Sequence, residues 1–101
     1  MKEFGKTTQL VHADKSLNPQ IDGAVHSPAN QSVLFEFQDA QDIVDAFQGK
    51  IAAHVYSRSS SSTNTSLQNV MNHLEQGIGA VTFATGMAAI STVMLSLLKY
   101  G

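Results

Sequence analysis

Apolar residues along this chain change their spacing several times, and each change predicts an element. Through residues 1–31 they keep no period, and Gly5, Asn18-Pro19, Asp22-Gly23 and Pro28 interrupt the stretch as turn signals, which predicts an extended arm with no core of its own. Val33, Phe35 and Phe37 then alternate with Leu34 and Glu36. That period of two suits a strand or an extended segment with one buried face. Behind a capping Asp39, residues Ile43, Val44 and Phe47 fall at helical spacing and Gly49 stands where a helix would stop. A short helix over about 40–48 follows.

Residues 57–66 are almost entirely serine, threonine and asparagine around Arg58, and such side chains compete for backbone hydrogen bonds, so the run predicts a loop. Thr65-Ser66-Leu67-Gln68 reads as a capping box. Leu67, Met71, Leu74 and Ile78 then repeat at helical intervals until Gly77 and Gly79 close the helix. Ala80 to Ala84 is a short apolar run of strand length, Thr85-Gly86 a tight turn, and Met87 to Leu98 a helix that is apolar or small on nearly every side. Such a helix needs cover from several directions.

Composition narrows the function. At 101 residues, 43% hydrophobic and 14% charged, the chain has the makeup of one small globular domain. A net charge of −2 offers no basic field for phosphate backbones, which argues against nucleic acid as a partner. The absence of cysteine removes thiol nucleophiles and thiolate metal sites. His12, His26, His54 and His73 are too widely spaced for a metal-binding pattern and read as structural or exposed. Met1 to Val11 lacks the apolar run of a secretory signal, so a cytoplasmic location is the default. Ile78 to Leu98 carries no charge and has the length of a membrane span, a rival reading. Its hydroxyl residues and Gly79 and Gly86 divide it into strand and helix lengths, which argues against a membrane.

A strand that delivers glycine into a helix start gathers unpaired backbone N–H groups and the positive end of the helix dipole at one point. Thr85, Gly86 and Met87 therefore form a candidate anion site. Gly86 would allow close backbone approach, and Thr85 would add a hydroxyl as cap or donor. Taken alone, the turn reads more readily as a plain helix cap than as an anion site.

The surrounding residues carry a resemblance. Gly23-Ala24-Val25, Gln31-Ser32, Phe35-x-Phe37, Tyr56-Ser57-Arg58, Leu74-Glu75-Gln76-Gly77 and Phe83-Ala84-Thr85-Gly86-Met87-Ala88-Ala89-Ile90 occur in an order that resembles the Cys/Met-metabolism enzymes dependent on pyridoxal phosphate (PLP), among them cystathionine gamma-synthase, O-acetylhomoserine sulfhydrylase and methionine gamma-lyase. The resemblance implies an α/β fold: residues 1–55 as an N-terminal arm, and 56–101 as the start of an aminotransferase-like (fold type I) PLP-binding domain. It implies that Thr85, Gly86 and Met87 hold the cofactor phosphate, while Tyr56 and Arg58 reach that of a neighbouring subunit in a dimer of dimers. It also implies elimination or replacement on an amino-acid substrate derived from homoserine or cysteine. Ser61-Ser62-Thr63 stands where the family pattern has Asn-Pro-Thr, and Gln68 where it often has glutamate. None of the five lysines stands in the context of the lysine that links the cofactor, so no catalytic residue is assigned and these residues alone are expected to be inactive. A stand-alone phosphate-binding or interaction module is the soluble alternative.

Overall fold

Helices Lys6–Leu17 (α1), Ala40–Phe47 (α2), Ser62–Glu75 (α3) and Gly86–Leu97 (α4) are joined by irregular segments in the computed structural model, which describes residues 4–19 and 22–100. Among the described residues no strand ladder forms, and the single β-bridge is antiparallel, between Leu34 and Tyr56. The α/β character implied by the resemblance is thus only coarsely met.

The arm expected to be extended over 1–31 contains α1; its parts at 1–3 and 20–21 lie outside the described residues. The turn signals at Gly5 and Asn18 are the helix's own ends: Gly5 is the N-cap, and Asn18 returns its N–H to the Asp14 carbonyl at 2.8 Å. What selects helix between them is packing on α3, which buries Ala13 completely. A helix with so weak a pattern of its own is stabilised by tertiary contact.

The predicted loop over 57–66 is also corrected. α3 begins at Ser62, and its cap is the buried Ser61, whose Oγ accepts from the Asn64 N–H at 3.3 Å; the Thr65 box lies inside the helix. The hydroxyls of the first turn are engaged elsewhere: Thr63 Oγ1 accepts from Asn30 N at 2.7 Å, and Ser62 Oγ from Asn30 Nδ2 at 3.2 Å. Side chains occupied in this way no longer compete for the helix's own backbone. The helix ends earlier than expected, with Gln76 in the left-handed region (φ 55°). A Cβ on the following Gly77 would stand 2.8 Å from Asn72 Oδ1, so a larger residue there would have to turn that side chain aside. Ile78 falls beyond the helix and is fully exposed.

The remaining elements sit closer to expectation. Asp39 caps α2 by accepting from Gln41 N at 3.0 Å, and Gly49 follows with φ 71°, a conformation glycine adopts without strain. Phe35 and Phe37 are half-buried while Leu34 and Glu36 face solvent, but Val33 is exposed too, so the expected alternation holds only over residues 34–37 and without a ladder. Residues 80–84 are irregular rather than a strand, having no partner to pair with among the described residues. α4 starts and ends one residue earlier than predicted, and its large apolar side chains are exposed, Leu95 at 82% and Leu97 at 75%. No helix among the described residues is long and apolar enough to cross a membrane. The twelve residues of α4 span about 18 Å, short of a hydrocarbon core about 30 Å thick.

Candidate functional site

The start of α4 is built by Thr85. Its backbone is extended (φ −141°, ψ 154°), and its Oγ1 accepts from the Ala88 N–H at 3.0 Å while its carbonyl accepts from Ala89 N at 3.3 Å. One lone pair of the hydroxyl is thereby used, and its hydrogen stays free to donate. Gly86 and Met87 have no intrahelical acceptor at these positions, and among the described residues their N–H groups find no hydrogen-bond partner. Two donors and one hydroxyl hydrogen thus sit together at the positive end of a helix dipole.

Gly86 has no local reason to be glycine. Its φ is not positive, and a Cβ built on it meets nothing within 4 Å. Alanine is favoured over glycine by about 1 kcal/mol in a helix interior, and by no more than that in a first turn. The absence of a side chain at Gly86 leaves the backbone beside two unbonded N–H groups open to close approach.

Tyr56 and Arg58 lie on a turn between the Leu34–Tyr56 bridge and α3. The Tyr56 carbonyl accepts from Ser59 N at 3.0 Å and Ser60 N at 3.1 Å, and Ser57 N donates to the Val33 carbonyl at 2.9 Å. The Arg58 guanidinium carbon stands 5.2 Å from the centroid of the Tyr56 ring, a cation–π distance. Arg58 makes no ion pair; the one found among the described residues joins Lys50 to Asp45 at 3.6 Å. Arg58 lines a cavity of about 230 Å³ together with Ser59, Ser60, Thr65, Gln68 and Thr82. Gln68, which stands where the family pattern often has glutamate, donates from Nε2 to Thr82 Oγ1 at 3.3 Å and ties α3 to the segment entering the α4 turn.

The five expected residues therefore form two groups. Thr85, Gly86 and Met87 share the α4 start, and Tyr56 stacks with Arg58, but none of the first three lines the Arg58 cavity. Among the described residues no group of three or more His, Asp or Glu could hold a metal.

Two features had no sequence signal. His54, read as structural or exposed, is half-buried, with Nδ1 2.9 Å from Ser60 Oγ and its ring 5.7 Å from that of Phe35. Asp14 gathers the arm: its carboxylate accepts from Ser27 N at 2.5 Å, Ser27 Oγ at 2.8 Å and Asn18 Nδ2 at 2.7 Å. The Ser27 N–H is the largest influence holding this carboxyl below its ordinary value; burial opposes it, and Asn18, the Ser27 hydroxyl and the charge of His26 add to it. Asn18 carries the network on to α3 through Ser66 O at 3.2 Å and Asn69 Nδ2 at 2.8 Å.

Comparison with known proteins gives this geometry a context. The family model described as Cys/Met metabolism PLP-dependent enzyme matches residues 7–101. The chain is 33% identical over 100 residues to an L-methionine gamma-lyase of Fusobacterium nucleatum subsp. polymorphum, covering 99% of this chain and 25% of that enzyme. It is 33% identical over 99 residues to an O-acetyl-L-homoserine sulfhydrylase of Corynebacterium glutamicum, covering 98% of this chain and 22% of the relative. A cystathionine beta-lyase of Escherichia coli K12 is 32% identical over 95 residues, 93% of this chain and 24% of the relative. The chain thus spans about a quarter of the length of the curated relatives it matches.

Proposed function

Because the chain belongs to the Cys/Met metabolism PLP-dependent enzyme family, we propose that it forms the phosphate-gripping part of such an enzyme, with the α4 start as one half of the grip and Arg58 with Tyr56 as the other. The observation that carries this reading is Gly86. A Cβ on it would meet nothing within 4 Å, and its own N–H and that of Met87 are unbonded among the described residues.

The residues present fit a cofactor phosphate chemically. A dianion at the α4 start would take donors from Gly86 N, Met87 N and the free hydroxyl hydrogen of Thr85, and would gain from the helix dipole. Arg58 offers a planar fork that keeps its charge at every physiological pH, and no carboxylate among the described residues pairs with it. The Tyr56 hydroxyl would add one donor. The family pattern places the two halves on different copies of the cofactor, one in the chain's own site and one in a neighbouring subunit's. In the intact enzyme this requires at least a dimer, and the family pattern points to a dimer of dimers.

Pyridoxal phosphate, when bound, supplies an electron sink for carbanion chemistry at the amino-acid substrate. This chain's contribution is to hold the phosphate end and so fix where the reactive end lies. The relatives' names span lyases and a sulfhydrylase, which supports elimination or replacement at the γ or β carbon of a homoserine- or cysteine-derived substrate. A fold type I large domain starting near residue 56, a preceding arm over 1–55 and a cytoplasmic location complete the reading.

Replacement of Arg58 by alanine in the full-length protein tests it. PLP should be lost on dialysis under conditions in which the unsubstituted protein keeps it. Equal retention would overturn the reading.

A further inference from the structure

The segment from His54 to Ser60 contains no proline and three serines, so its backbone has little intrinsic stiffness and its shape must come from bonds to other groups. Its base is fixed on one side by the Leu34–Tyr56 bridge and the Ser57 N to Val33 O bond. On the other side, Ser61 is buried as the cap of α3. Between these anchors lie Arg58 and Ser59, both exposed. One side-chain bond spans the whole turn, from His54 Nδ1 to Ser60 Oγ at 2.9 Å, with both residues half-buried and the His54 ring resting against Phe35.

We propose that His54 is a positioning residue that acts through Ser60 to hold the turn carrying Tyr56 and Arg58. The proposal rests on the reading that these two side chains grip a cofactor phosphate. A long, flexible arginine binds with its planar fork only as well as its backbone is aimed, so a clasp across the turn converts directly into phosphate affinity. The bond works in either polarity: a neutral ring can accept from the serine hydroxyl or donate to it, and a protonated ring donates. Phe35 lies against the ring, with centroids 5.7 Å apart and planes inclined at 48°.

Three variants in the full-length protein separate this role from a packing role. His54→Phe keeps an aromatic ring beside Phe35 and removes the hydrogen bond. Ser60→Ala removes the same bond from its other end with little change of volume. His54→Asn restores a polar atom near the place of Nδ1. Two quantities are read: the dissociation constant of PLP, and amide hydrogen exchange at Ser59 and Ser60.

The first two variants should each weaken PLP by about threefold to tenfold, the range expected for one hydrogen bond, and should speed exchange at both amides. The double variant should be no worse than either single one, and His54→Asn should stay near the unsubstituted value. If Arg58→Ala weakens PLP but His54→Phe and Ser60→Ala do not, the clasp is overturned and the phosphate grip stands. If the two effects simply add, His54 does not act through Ser60. If Arg58→Ala itself has no effect, the phosphate grip falls and the positioning role falls with it.

Discussion

Thr85 does two things with one hydroxyl, and alanine removes both. Its Oγ1 accepts from Ala88 N at 3.0 Å, and loss of such a cap costs typically about 1 kcal/mol, which raises the opening of the first turn of α4 roughly fivefold. Its remaining hydrogen is free to donate, and a hydrogen bond to a charged acceptor is worth about 1.5–3 kcal/mol, so PLP affinity should fall by roughly tenfold or more. Thr85→Ser keeps the oxygen and its hydrogen and should restore both properties. Amide exchange at Ala88 reports the cap, and equilibrium titration of the apo full-length protein with PLP reports the donor. Faster exchange at Ala88 with unchanged PLP affinity would refute the double role and leave Thr85 a cap alone.

Gly86→Ala should do the opposite of most site substitutions: α4 gains up to about 1 kcal/mol from helix propensity, since a Cβ there meets nothing, while PLP binding weakens; thermal unfolding with and without cofactor checks both signs. Asp14 should titrate with a midpoint below its ordinary value of 3.8, followed by carbon NMR of the carboxyl. Because its folded value is lowered, the stability it contributes is present in full above the unfolded value and is lost as pH falls through the folded one. Asp14→Asn should cost about 1–2 kcal/mol in chemical denaturation at neutral pH, given three donors to a partly solvated carboxylate, and should flatten the acid limb of the stability curve.

How far the sequence revealed these features depended on how local their causes are. Asp39 and Gly49 bracket α2, and Thr85 caps α4, through bonds made within three residues, so each announces itself. The start of α3 does not. Consecutive serines from Ser59 to Ser62 offer neighbouring caps of equal quality, and the choice of Ser61 is tied to Asn30, some thirty residues earlier, which engages Ser62 and Thr63. α1 was hidden for a related reason: its two ends carry clear signals, but its interior becomes helical by packing on α3. Residues 80–84 have the composition of a strand, and composition cannot supply the neighbouring strand that a ladder requires.

The site divides in the same way. Tyr56, Arg58 and the Thr85-Gly86-Met87 turn stood out through a resemblance in residue order. What the turn residues are free to do, namely two unbonded N–H groups and a glycine without steric need, required the structure. His54 and Ser60 lie six apart in an irregular turn, a separation that belongs to no helix or strand period, so nothing in the pattern linked them.

The claim that this chain grips a phosphate is tested most directly by comparing two ligands that differ only in that group. The apo full-length protein, its Arg58→Ala variant and its Gly86→Ala variant are titrated with PLP and with unphosphorylated pyridoxal. Both substitutions should weaken PLP by about tenfold or more, as loss of contact to a charged group requires, and leave pyridoxal affinity unchanged. Equal losses for the two ligands, or none for PLP, would contradict the phosphate grip.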